Sequence, residues 1–167
     1  TTLGNAGIAY DSLGMLDRAQ EYLMRAKALH EKYDNKKELS TVLIELSHIY
    51  LRLNQPGLAE SSSRQALAIA QKIGALEQEM NAHLNLARIK AQTKDFAGAY
   101  QEHKKYVLAK DSLFQQEKSK QMAELQTQYE TEKKEQEINI QKLVITEQKL
   151  TLQRNETFII GLIVLLV

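Results

Sequence analysis

Apolar residues recur along the first hundred positions at the i, i+3, i+4, i+7 spacing that marks one face of an α-helix. Leu3, Ala6, Ala9, Tyr10 and Leu13 make one such stripe, Gly14 interrupts it, and Leu16, Ala19, Leu23, Ala26 and Leu29 make a second. Glycine ends a helix because it enters the left-handed turn without a Cβ clash. The two stripes therefore predict a helical hairpin. A second hairpin follows from Val42, Leu43, Leu46, Ile49, Tyr50 and Leu53, then a turn at Asn54 and Gln55, with Pro56 at a favoured first helical position. Its return helix carries Ala59, Ala66, Leu67 and Ile69, and Gly74 is its expected stop. A third uses Leu84, Leu86 and Ile89, a turn at Thr93, Lys94 and Asp95, then Phe96, Ala99 and Tyr106.

The hairpins share a register. Ala19, Ala59 and Ala99 are 40 residues apart, and the same offset aligns Ala26 with Ala66 and Gly7 with Ser47 and Ala87. Small residues recur where two helices must approach closely, and large ones one helical turn away. A fixed period of this size means stacked units that bury a continuous core together. The expected fold is all-α: a solenoid of three helical hairpins over residues 1–110.

Beyond the repeats the pattern changes. From Ala99 to Ile160 there is neither glycine nor proline, and after Leu113 Gln, Glu and Lys dominate. This predicts a long charged linker helix over 111–157. Asp111 and Ser112, with Gln115 three residues after the serine, could instead cap a new helix; continuity is the favoured reading. Glu130 and Lys134 are spaced to pair along it. The apolar seam is intermittent, with Met122, Leu125 and Tyr129, then polar Glu132, Gln136 and Asn139, then Leu143 and Leu150. A strong coiled coil keeps both seam positions apolar over several heptads, so at most a weak homodimer is expected. Residues 158–167 are wholly apolar and predict the first half of a transmembrane helix. As helix they rise only about 15 Å, half of a bilayer core. With no initiating Met and an end inside the apolar run, the chain is expected to be a fragment.

Lys plus Arg is 22 and Asp plus Glu is 21, a formal net charge of +1. That balance argues against a nucleic-acid partner, which requires a basic excess against phosphate. There is no cysteine, which excludes disulfides and thiolate metal sites. His30, His48, His83 and His103 do not form the His-Glu-x-x-His zinc spacing. His83 is in register with Leu3 and Leu43, which points to a packed or half-buried imidazole. Ser61, Ser62 and Ser63 are expected at the surface. No phosphate loop, nucleophile elbow or kinase signature appears. No catalytic, cofactor or metal residue is therefore assigned. The candidate partner-binding residues are Asp11, His48, Arg52, Arg88 and Gln92, first-helix positions whose spacing turns them away from the apolar stripe.

The segment LGNAGIAYDSLGMLDRAQEYLMRAKAL resembles a tetratricopeptide repeat, through Leu3, Gly7, Tyr10, Ala19 and Ala26. LIELSHIYLRLNQPGLAESSSRQAL resembles it through Leu46, Tyr50, Ala59 and Ala66. The third unit departs from the pattern, with Lys90 at the aromatic position and Tyr106 at the last small one. The resemblance implies a protein or peptide ligand on the concave face, where the five candidates lie. No basic pair with Asn reproduces the clamp some relatives use for a terminal carboxylate. A period of 40, longer than is common in the family, implies longer second helices or longer connections.

KDSLFQQEKSKQMAELQTQYETEKKEQEI and the apolar run after it resemble a juncture in tetratricopeptide-repeat sensors of Bacteroidetes-type bacteria. There the repeats precede one transmembrane helix and a histidine kinase or helix-turn-helix output. This implies the sensor region of a single-pass membrane signalling protein, with periplasmic repeats. Against that orientation, Lys142, Lys149 and Arg154 beside the apolar run favour a cytoplasmic flank. The alternative is a scaffold or adaptor anchored at the inner membrane face, and both readings stay open.

Overall fold

The computed structural model describes residues 2–165, and side-chain surroundings for residues 2–160. Among them are six helices and no strand: α1 (Thr2–Ser12), α2 (Leu16–Lys32), α3 (Lys36–Arg52), α4 (Pro56–Ile73), α5 (Leu76–Gln92) and α6 (Phe96–Leu165). The chain divides into two compact units, Thr1–Gln116 and Glu117–Val167.

In the first unit α1 pairs with α2 and α3 with α4, and α3 also packs on α1, α2 and α5. Each hairpin therefore stacks on the next. All five connections are built alike. A residue with positive φ stands at Gly14, Asp34, Asn54, Gly74 and Lys94, positions that succeed one another by 20. In each turn the following residue's N–H returns to a helical carbonyl five back: Met15 to Tyr10, Asn35 to His30, Gln55 to Tyr50, Ala75 to Ala70 and Asp95 to Lys90, at 2.8–3.0 Å. This closes the helix and fixes the chain reversal. The 40-residue period is thus two equal halves. The expectation of longer connections is corrected, because the turns are uniformly short; the added length lies in the helices, first and second alike, with α3 and α5 17 residues each, α2 17 and α4 18.

The in-phase size classes become packing. Ala19, Ala26, Ala59, Ala66 and Ala70 are fully buried. One apolar cluster joins Ala19, Leu23 and Ala26 of α2 to Val42, Leu46 and Ile49 of α3. A second joins Leu39, Leu43 and Ile44 of α3 to Ala66 of α4 and Ala82 of α5. At the crossing of the first hairpin Gly7 faces Leu23, and a Cβ on Gly7 would lie 2.6 Å from Leu23 Cγ. At the equivalent crossing of the second hairpin, Ser47 and Ser63 meet through a hydrogen bond of 2.6 Å between their Oγ atoms. Small against large in one repeat becomes medium against medium in the next. The expectation that the serine run lies on the surface is corrected here: Ser62 and Ser63 are buried, and only Ser61 is exposed. The Ser63 hydroxyl can be buried because Ser47 partners it.

In the second unit every described side chain is exposed. Its helix is sustained locally by Lys120 with Glu124 at 3.8 Å, and by Gln126 and Gln128 donating to Glu130 and Glu132. Glu130 accepts from Gln126, and no Glu130–Lys134 ion pair forms among the described residues. No helix begins at Ser112, whose hydroxyl donates to Leu108 O one turn back, as in a helix interior. Among the described residues no helix is long and apolar enough to cross a membrane. The transmembrane part of the expected architecture thus has no support among them. Of the run 158–167 behind that expectation, the side chains of 161–167 lie outside the described residues.

Candidate interaction surface

The first helices of the hairpins, α1, α3 and α5, line one face of the repeat unit, and their outward residues border two clefts. One, of about 110 Å³, lies between α1 and α3 and reaches down to α2; Gly4, Asn5, Ile8, Val42 and Glu45 are among its walls. The other, of about 280 Å³, lies between α3 and α5, walled by Ile44, Glu45, His48, Asn81, Asn85 and Arg88. The clefts share Glu45.

The structure brings three of the five expected residues together. The Arg52 guanidinium donates to both the carboxylate and the backbone oxygen of Asp11, and His48 Nδ1 lies 3.5 Å from the other carboxylate oxygen. This cluster bridges α1 and α3 above the apolar layer, so these side chains also hold adjacent repeats together. Arg88 joins His48 on the wall of the second cleft and is exposed. Gln92 is exposed, borders neither cleft, and its side chain makes no hydrogen bond among the described residues.

Sequence reasoning passed over Glu45, Asn81 and Asn85. The signal was present in the register, since Asn5, Glu45 and Asn85 stand 40 residues apart. They occupy one rung on each first helix. Asn85 is buried and donates its amide to Ile44 O at 3.1 Å, which ties α5 to α3. Glu45 is half-buried. Burial pushes its carboxyl above the usual carboxylate range; His48 opposes the shift and Asp11 adds to it.

A third depression, of about 500 Å³, lies between α4, α5 and α6, with Leu67, Glu79, His83 and Lys105 on its walls. At its floor the buried His83 Nδ1 stands 2.7 Å from Glu102 Oε2. His83 is therefore packed, as its register foretold, but beside a carboxylate that the pattern had not singled out. Among the described residues no group of three or more His, Asp or Glu is arranged to hold a metal ion.

Residues 1–72 match the Tetratricopeptide repeat family. No curated protein gives a significant match. Among solved structures, the crystal structure of BtubC (BKLC) from P. vanneervenii is similar, with a TM-score of 0.61 and 18% identity. The likeness covers 66% of this chain and 45% of that one, so the chain spans less than half of its length. At that identity the shared property is the fold. The family match is confined to residues 1–72, and the described helices around it form an all-helical stack of hairpins.

Proposed function

We propose that this chain is a protein-interaction scaffold whose face formed by α1, α3 and α5 takes an extended segment of a protein partner. The observation behind this is the pair of clefts that meet at Glu45, walled by polar side chains on rigid helices. Preformed grooves on rigid elements bind with little ordering cost. The face offers hydrogen-bonding amides and carboxylates beside small apolar walls, and no nucleophile held by a base. Panning a random dodecapeptide library on the full chain tests the reading. Recovered peptides are expected to lose binding when the cleft is filled by Asn81→Arg or Ile8→Arg. Peptides that bind both folded variants unchanged would place recognition elsewhere.

A finer reading is that the scaffold is the sensor region of a membrane-anchored signalling protein, with a kinase or DNA-binding output. Its supports are the resemblance of residues 110–167 to such junctures and the uninterrupted apolar character of 158–167. In that reading a ligand on the repeats biases α6 between two states, and the bias is passed along the helix. In the full-length protein, reporters at Asn35 and beyond residue 167 should then fall on opposite sides of a membrane. Both on one side would leave the scaffold reading alone.

A further inference from the structure

We infer that the partner segment presents a basic side chain, lysine or arginine, which docks on Glu45 at the junction of the two clefts. The inference rests on the interaction reading above and names the chemistry that the same face selects.

One carboxylate on this face is already matched. Asp11 is held by Arg52 and His48 in the free protein. Glu45 is different. It is half-buried and has no ion-pair partner within 4 Å among the described residues, so the cost of taking its carboxylate from water is offset only in part, by the nearby His48. A cation delivered by a ligand offsets it, and in partly desolvated surroundings that attraction is stronger than at an open surface. The geometry beside Glu45 suits such a side chain. The smaller cleft, about 110 Å³, has an apolar wall of Ile8 and Val42 leading to the carboxylate, and the buried Gly4 adds no side chain to it. It admits a single side chain rather than a backbone. An aliphatic stem with a terminal charge matches a wall of that kind. The larger cleft takes the neighbouring residues, and there exposed Arg88 disfavours a second base. The chemistry is therefore one basic residue followed by neutral or acidic ones. Glu45 has the wrong sign for a terminal carboxylate.

The test is panning of a random dodecapeptide library on the full chain and, in parallel, on Glu45→Gln, whose folding is checked by circular dichroism. Peptides recovered on the parent should share a Lys or Arg at one position. Replacing that residue by norleucine should weaken binding to the parent about tenfold or more and to Glu45→Gln much less. Recovered peptides without a basic preference, or with one that persists on Glu45→Gln, would overturn the inference and leave the interaction reading standing. No recovered peptide, or only peptides insensitive to Asn81→Arg, would remove the interaction reading itself.

Discussion

His83 and Glu102 form a buried imidazole–carboxylate pair between α5 and α6, 2.7 Å apart, at positions where the preceding repeat has Leu43 and Ser62. One repeat closes its core with a leucine; the next closes it with charge. Lys105 also reaches the Glu102 carboxylate, at 3.1 Å, and Glu79 lies 3.9 Å from His83 Nε2.

Glu102→Gln is expected to cost about 1–3 kcal/mol at pH 7, because it exchanges a buried charge-assisted bond for a weaker neutral one. Burial alone would raise the Glu102 pKa, but the bonds from His83 and Lys105 outweigh it and hold the carboxyl below 4.5. A depressed carboxyl stabilises the fold above its unfolded pKa and loses that contribution as pH falls through the folded one. Urea unfolding should therefore show the gap between parent and variant closing below about pH 4.5. The double change His83→Leu with Glu102→Ser, which copies the second repeat, should cost less than Glu102→Gln alone. An equal or larger loss would mean the imidazole–carboxylate pair is worth more than an apolar floor.

Gly7→Ala should destabilise the first hairpin by about 1–3 kcal/mol, since the new methyl meets Leu23 Cγ at 2.6 Å and overpacks the crossing. Gly57 has nothing within 4 Å of its notional Cβ and lies in the first turn of α4. Gly57→Ala should instead stabilise, by about 0.5–1 kcal/mol, through reduced chain entropy in the unfolded state. Thermal melts of the two variants should move in opposite directions. Shifts of the same sign would contradict the close approach at Gly7.

Lys94 takes the left-handed conformation, φ +63°, at the turn position that Gly14 and Gly74 occupy in other connections. Lys94→Gly relieves that strain at the cost of a more flexible unfolded chain, for a net gain of about 0.5–1 kcal/mol. The reciprocal Gly14→Lys meets no steric neighbour, so its loss, about 1–2 kcal/mol, reports backbone strain alone. Equal stability for all three proteins by urea titration would show that the turn tolerates any residue.

The sequence by itself determined the repeat. The i, i+3, i+4 stripes and the 40-residue recurrence of alanines located the hairpins, because burial imposes size and polarity on each inward position regardless of neighbours. Gly14, Asn54 and Gly74 marked turns through their backbone freedom. The 20-residue recurrence was less legible, since no glycine marks Asp34, and Lys94, inside the turn read at Thr93 to Asp95, is held left-handed by the helices on either side rather than by its own preference. Five polar first-helix positions were visible as outward-facing. Tertiary structure decided that Arg52 pairs with Asp11 and that His48 stands beside them, while Glu45 stands half-buried where two clefts meet. It likewise decided that Ser63 is core and that His83 meets Glu102. The reason is common to all of these. Pattern along one helix reports which face is inward, but the charge or hydroxyl opposite it comes from another helix sixteen to forty-one residues away, and only packing brings the two together.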